Sequence, residues 1–233
     1  DRWLDGGTQA EEHKEAFLKL ARWARGAQDH LGGWVVWSLL GMKCSSPYSA
    51  MTQGEGISVL TRAYAVTGDR LYLTAARAAL RPLMLTVDQG GTSRLVGEGR
   101  ILEEFPSDAP SGILNGWVFA MFGLYDFLLV EDHPEAGALL REALRALVAC
   151  LPEYDAGYWS YYDLCGRLAS PFYHDLHIAQ LKALESAFPQ EAAAFRQVRG
   201  EFERQRASPL CRAKAIVVKV CQKLRHPPEV VLR

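Results

Sequence analysis

The chain has 233 residues, 49% hydrophobic and 23% charged, and a net charge of −1, enough for one sizeable core of ordinary globular composition. The charge balance excludes a general nucleic-acid binder, which needs a basic footprint, whereas an anionic ligand needs only a local patch. Five cysteines (Cys44, Cys150, Cys165, Cys211 and Cys221) stand far apart with no Cys-x-x-Cys, a pattern of free or buried thiols rather than a disulfide framework.

No apolar run reaches the roughly 18 residues of a membrane span. The longest, Ile113 to Val130, is interrupted by Asn115, Gly116 and Asp126, so no span is expected. The chain opens Asp1-Arg2-Trp3-Leu4 without a signal-peptide pattern, which slightly favours a soluble, cytoplasmic protein and leaves localisation open, since a processed or truncated start would read the same.

In chain order, Ala16, Phe17, Leu20, Trp23 and Ala24 recur at helical spacing, predicting an amphipathic helix from Thr8 to about Gln28. Gly33 to Trp37 reads as a short strand or extended loop. Tyr48 to Gly56 leads into a second helix that runs to about Val66. Gly68 and Asp69 cap the turn into a third, which ends near Met84. Gln89 to Phe105, rich in Gly and β-branched residues, suggests a hairpin or long loop.

Glu103 to Tyr125 is the stretch around which the rest is arranged. Glu103 and Glu104 end an extended run. Ser107, Asp108 and Ser111 offer cap oxygens, and Pro110 suits a first turn. A helix apolar on almost every side follows, and such a helix belongs inside something larger. The turn Glu131 to Pro134 precedes another helix to Leu151, and Gly157 to Asp163 is aromatic and extended. Helices are expected from near Tyr173 to Ala187, from Pro189, and from Ser208-Pro209 to a stop at Pro227-Pro228.

Three times an apolar helix ends in a tight turn and a more polar, Ala- and Arg-rich helix follows: around Gly68, Asp132 and Pro189. The pattern predicts a mainly α chain, an (α/α) toroid or incomplete barrel of paired helices with a few short strands. Residues 1–233 would form one barrel-type domain, with 207–233 its C-terminal helix and tail. A plain α-solenoid shares the periodicity.

The motifs Gly32-Gly33-Trp34, Tyr48-Ser49-Ala50-Met51-Thr52-Gln53-Gly54, Glu103-Glu104-Phe105-Pro106, Leu114-Asn115-Gly116, Gly123-Leu124-Tyr125-Asp126, Tyr162-Asp163-Leu164 and Tyr173-His174-x-x-His177-Ile178-x-Gln180-Leu181 occur in one order. Each is weak alone, but the ordered set resembles the C-terminal catalytic domain of the D-glucuronyl C5-epimerases over roughly Ala10 to Arg206. The resemblance implies an isomerase that turns glucuronate into iduronate in heparosan or heparan sulfate. It implies no cofactor and no metal, an anionic uronic-acid polysaccharide as partner, and leaves a homodimer open. A family glutamate and tyrosine that face one another across the sugar as base and acid fall on Glu104 and Tyr173, and a second tyrosine falls on Tyr162. The family's usual tyrosine after the glutamate is Phe105 here, and its usual basic residue after Tyr-Asp-Leu is Cys165.

Inversion at a carbon next to a carboxylate needs a proton removed from one face and one delivered to the other. Glu104 suits the base if Phe105, Pro106 and Trp117 raise its pKa. Tyr173 suits the acid, since a phenol arrives protonated at neutral pH. As phenolate it would need a cation or donor, for which His174, His177 and Arg167 are the candidates. Tyr162 could donate to the developing oxyanion, while Asn115, Gln53 and Tyr48 suit sugar hydroxyls.

Two other readings belong to different classes: a lyase on the same scaffold, and a non-catalytic glycan-binding domain. His174 and His177 at i, i+3 could share a metal, but no third ligand has suitable spacing. Gly54-Glu55-Gly56 and Gly97-Glu98-Gly99 lack the third glycine of a dinucleotide fingerprint. Lys214 to Arg225 reads as an amphipathic closing helix, with contact to a partner or a membrane surface as the alternative.

Overall fold

In the computed structural model, which describes residues 10–97 and 99–225, most helices start where the sequence supplies a cap. Ser49, Asp69, His133 and Ser170 each accept a backbone N–H from the first turn that follows, and Pro134 and Pro171 fill first-turn positions. The helices are α1 (Ala10–Gly26), α2 (Ala50–Thr67), α3 (Arg70–Met84), α4 (Leu114–Leu128), α5 (Pro134–Cys150), α6 (Pro171–Ala187), α7 (Ala192–Ala207) and α8 (Pro209–Arg225). The expected helix start at Thr8, Glu98 of Gly97-Glu98-Gly99, and the stop at Pro227-Pro228 lie outside the described residues.

The paired-helix pattern is realised in space. α2, α4 and α6 form an inner row, with α4 packed against both neighbours, and each carries its successor (α3, α5, α7) alongside. The burial follows the sequence pattern. α5 buries Ala136, Leu139, Leu140, Ala143, Leu144 and Leu147, a single helical stripe, while α4 is wrapped on most sides and leaves Trp117, Met121, Leu124 and Phe127 with no exposed surface. α2 and α4 approach backbone to backbone. A Cβ on Gly54 would lie 2.4 Å from Ala120 Cα, and one on Gly123 would lie 2.3 Å from the Gly54 carbonyl. Only glycine allows that crossing.

The β structure is small. β1 (Ser93–Val96) and β2 (Gly99–Leu102) form the antiparallel hairpin expected between Gln89 and Phe105, with Ser93 opposite Leu102 and Val96 opposite Gly99. Gly33 to Trp37 is not a strand: Val35 alone pairs, with Tyr48. The reason is that Trp34 is tied to helices instead. Its amide donates to Gln53 Oε1 at 3.0 Å and its indole to the Ala24 carbonyl at 2.8 Å.

The inner helix also starts later than the sequence suggests. Ser107, Asp108 and Ser111 cap nothing, and α4 begins at Leu114 behind Ile113, which has no side chain able to cap. Ser111 is engaged elsewhere, as its hydroxyl donates to the buried Glu103 carboxylate at 2.6 Å. All five cysteines are free. Among the described residues no helix is long and apolar enough to cross a membrane.

Candidate active site

Two unsatisfied helix N-termini are what assemble the site. A first-turn amide of α2, that of Ala50, donates to the Glu103 carbonyl at 3.0 Å, and that of Leu114 in α4 donates to the Tyr162 carbonyl at 3.1 Å. The chain entering from β2 is thereby fixed at Glu104, and the aromatic segment is fixed at Tyr162. Ser170 caps α6 so that Tyr173 sits in its first turn, with the Tyr173 ring 4.8 Å from that of Tyr162, edge to face.

The two adjacent glutamates have opposite fates. Glu103 is fully buried and acts as an anchor: it accepts from Ser111 N at 3.0 Å, Ser111 Oγ at 2.6 Å and Gly112 N at 3.1 Å, with Arg94 3.6 Å away. Glu104 is only half-buried and points the other way, against the first turn of α4. Asn115 Nδ2 donates to its Oε2 at 3.3 Å. A Cβ on Gly116 would fall 2.2 Å from the same oxygen, so glycine makes the space the carboxylate occupies.

Electrostatics single out this carboxyl. Burial, reinforced by the charge of Glu55, pushes Glu104 up to about 7, while the Arg167 guanidinium and the Asn115 hydrogen bond pull it back. Tyr162 is pushed far above the usual phenol range, first by burial and then by the Glu104 charge and the neighbouring Tyr173, to which it is hydrogen-bonded. Arg167 completes the group. Its side chain pairs with the buried carboxylate of Asp163, its carbonyl accepts from Tyr162 N at 2.6 Å, and its guanidinium carbon lies 5.5 Å from the Tyr162 ring centre. Asn115 Oδ1 is buried without a hydrogen-bond partner among the described residues.

Glu104, Tyr162, Tyr173, Asn115 and Arg167 are therefore brought together, while four other residues singled out in the sequence are not. The Tyr48 hydroxyl donates to Asp29 Oδ2 at 2.5 Å. Gln53 is fully buried and bonds both ways to the Trp34 backbone, at 3.0 Å each. His174 and His177 hold nothing between them but Ser160 Oγ, at 2.8 and 3.0 Å from their Nδ1 atoms. His174 stacks on Trp159 at 3.7 Å. Burial pushes both imidazoles down, His177 to about 3, so they are neutral packing groups at physiological pH. Among the described residues no cluster of three or more His, Cys, Asp or Glu could hold a metal.

Sequence reasoning passed over four contributors: Glu103 as an anchor, Asp163 as the clamp on Arg167, Gly116, and Glu55. Much of Glu55 faces the open groove beside α2, yet the surrounding walls raise its own carboxyl. Gly54-Glu55-Gly56 had marked the place without disclosing a role.

The family model described as the D-glucuronyl C5-epimerase C-terminus matches residues 29–204. A D-glucuronyl C5-epimerase of Caenorhabditis elegans is 34% identical over 197 residues, covering 74% of this chain and 32% of that protein. An uncharacterized protein, MJ1128, of Methanocaldococcus jannaschii is 33% identical over 136 residues, 57% of this chain and 44% of its own length. The chain thus spans less than half the length of either relative. These comparisons offer no support for the lyase reading.

Proposed function

Because the chain belongs to the family defined by the D-glucuronyl C5-epimerase C-terminus, we propose that its site inverts C5 of D-glucuronate units in a heparosan-like polysaccharide, giving L-iduronate. The observation that carries the reading is the Glu104 carboxyl raised to about 7 beside the paired rings of Tyr162 and Tyr173 and a clamped guanidinium.

The C5 hydrogen is acidic only because the adjacent carboxylate can take up the electron pair as an enediolate. Glu104, about half ionised at neutral pH, accepts that proton as a strong enough base that is still present in the right form. Arg167 and the Tyr162 hydroxyl face the charge that develops on the sugar carboxylate, where preformed donors act most strongly. Tyr173 delivers a proton to C5 from the opposite face, and the electron pair returns to form the new C–H bond. Arg167 is the cation that tolerates the resulting phenolate, since the neutral His174 and His177 cannot. It lies two residues beyond Cys165, the position where the family carries its basic residue. Proton exchange with water then resets both groups.

Incubation with heparosan in deuterated water, followed by proton NMR, tests the reading. Iduronate signals should appear as the C5 proton signal disappears, and unchanged heparosan would overturn it. The rate of C5 exchange as kcat/KM should rise with pH through an apparent pKa near 7, because only ionised Glu104 accepts the proton. A profile flat from pH 5 to 9 would remove Glu104 from the base role. Gly116→Ala should displace the Glu104 carboxyl from α4 and lower turnover about a hundredfold, the cost of roughly 1 Å of misplacement, with little change in KM.

A further inference from the structure

Ser160, His174 and His177 form a closed polar cluster that the proton-transfer scheme leaves without a task. All three are fully buried. Their protons can be assigned from their partners. His174 Nε2 lies 3.0 Å from the Phe202 carbonyl, which can only accept, so Nε2 carries the hydrogen. Burial keeps the ring neutral, which leaves Nδ1 as a bare acceptor, and Ser160 N donates to it at 3.2 Å.

Ser160 Oγ stands 2.8 Å from that same nitrogen and 3.0 Å from His177 Nδ1. Both are hydrogen-bond lengths, so each line holds a hydrogen. His174 Nδ1 is bare, so the hydrogen on the first line belongs to the Ser160 hydroxyl. A hydroxyl has a single hydrogen, so on the second line His177 Nδ1 donates. The opposite assignment would press two lone pairs together at 2.8 Å and strand a buried His177 Nε2–H. The donors therefore run one way, from His177 through Ser160 to His174 and on to the Phe202 carbonyl. His177 Nε2 is left as a bare lone pair, buried without a hydrogen-bond partner among the described residues.

The chain neighbours of this relay give it a use. Tyr162 lies two residues beyond Ser160, and in extended chain alternate side chains share a side. The segment is extended there: Asp155 pairs with Ser160, Tyr161 pairs with Leu168, and Ala169 N donates to the Ser160 carbonyl at 2.9 Å. On α6, Tyr173 directly precedes His174 and stands one turn before His177 on the same face. Segment and helix thus meet in two rungs. One is Ser160 against the two imidazoles, and the other is Tyr162 against Tyr173, with ring centres 4.8 Å apart. Apolar ring contacts are non-directional and let partners slide, whereas hydrogen bonds from one hydroxyl to two rings fix distance and angle. Trp159, stacked on His174 at 3.7 Å, holds the plane of that ring.

We propose that Ser160 and His177 are positioning residues, whose one-way relay locks the aromatic segment to α6 in the register that brings Tyr162 and Tyr173 together. The inference rests on the proton transfer proposed above, in which Glu104 serves one face of the sugar and Tyr173 the other. Loosening the relay shifts the phenols and leaves Glu104, which is held from α2 and α4, in place.

Nitrogen NMR of the histidine-labelled wild type is the first test. His177 should be protonated at Nδ1 and bare at Nε2, and His174 the reverse. A His177 protonated at Nε2 would overturn the relay. Heparosan in deuterated water then separates two signals, loss of the C5 proton and appearance of iduronate, in variants shown by circular dichroism to be folded. In Ser160→Ala inversion should fall about a hundredfold, the cost of roughly 1 Å of misplacement, with KM unchanged. Exchange should fall far less, because Glu104 still takes the C5 proton, trades it with water and returns a deuteron to the same face. His177→Asn, whose amide N–H stands where Nδ1–H stood, should keep most of the inversion, and His177→Leu should lose it as Ser160→Ala does. Loss of exchange and inversion in equal proportion, or equal loss in His177→Asn and His177→Leu, would reduce the cluster to packing and overturn the proposal. A wild type with the assigned tautomers that neither exchanges nor inverts heparosan would overturn the proposed function, and the positioning role with it.

Discussion

Glu104→Gln is expected to stop exchange of the C5 hydrogen, lowering turnover by about three orders of magnitude while heparosan still binds. The substitution keeps the shape and the Asn115 contact but removes the carboxylate beside the phenol pair that is raised to about 7. Its effect on stability should have the opposite sign. Between the ordinary carboxyl value of 4.5 and about 7, folded Glu104 holds a proton that the unfolded chain has released. The unfolded state therefore binds fewer protons in that window, and the stability of the wild type falls as pH rises through it. Glutamine has no such charge to bury. Thermal melts from pH 5 to 8 should show a declining melting temperature for the wild type and a flatter, higher curve at neutral pH for the variant. A variant that loses both activity and stability would assign Glu104 to the framework rather than to proton transfer.

Glu103→Leu should show the reverse pairing, with a large loss of stability that carries the activity down with it. Leucine fills much of the same space but leaves Ser111 N, Ser111 Oγ and Gly112 N without their acceptor, and Arg94 without its carboxylate. Breaking such a buried set costs about 3–5 kcal/mol, equivalent to roughly 10 °C of melting temperature in a chain of this size. The loop it anchors joins β2 to α4 and sets the Glu104 backbone, so substrate turnover should fall even below the melting transition. A Glu103→Leu protein that melts with the wild type would show that the loop is held by its other contacts, such as Tyr154 Oη donating to the Gly112 carbonyl at 2.6 Å. Together the two variants separate the proton transfer proposed for Glu104 from the anchoring by its neighbour Glu103.

That separation lay beyond one-dimensional reasoning. Glu103 and Glu104 are chemically identical and adjacent, and in extended chain their side chains point to opposite sides. Which side is interior depends on where Ser111 and Asn115 arrive, eight and eleven residues later, and on the packing of α4. The same holds for the histidines. Their i, i+3 spacing is compatible with ligand binding, but Ser160 and Trp159 come from a different segment and close around them. Gln53 looked like a sugar-binding amide and instead carries the Trp34 backbone, the contact that also keeps Gly33 to Trp37 out of a sheet.

Helices were the legible part, because their signal is local. Apolar residues three and four apart, Asp69 as a cap and Gly68 as a left-handed stop each act within a single turn, so they can be read without knowing the partner. The order of apolar and polar helices was enough to foretell which helices pair, and the motif order was enough to place the chain in its family. The tertiary structure alone decided which glutamate is held by Ser111 and Gly112 and which lies against α4, that the Arg167 guanidinium lies beside the Tyr162 ring, and which tyrosines meet. The physical reason is that pKa values and hydrogen bonds depend on what surrounds a group, and those surroundings are assembled from residues far apart in the chain.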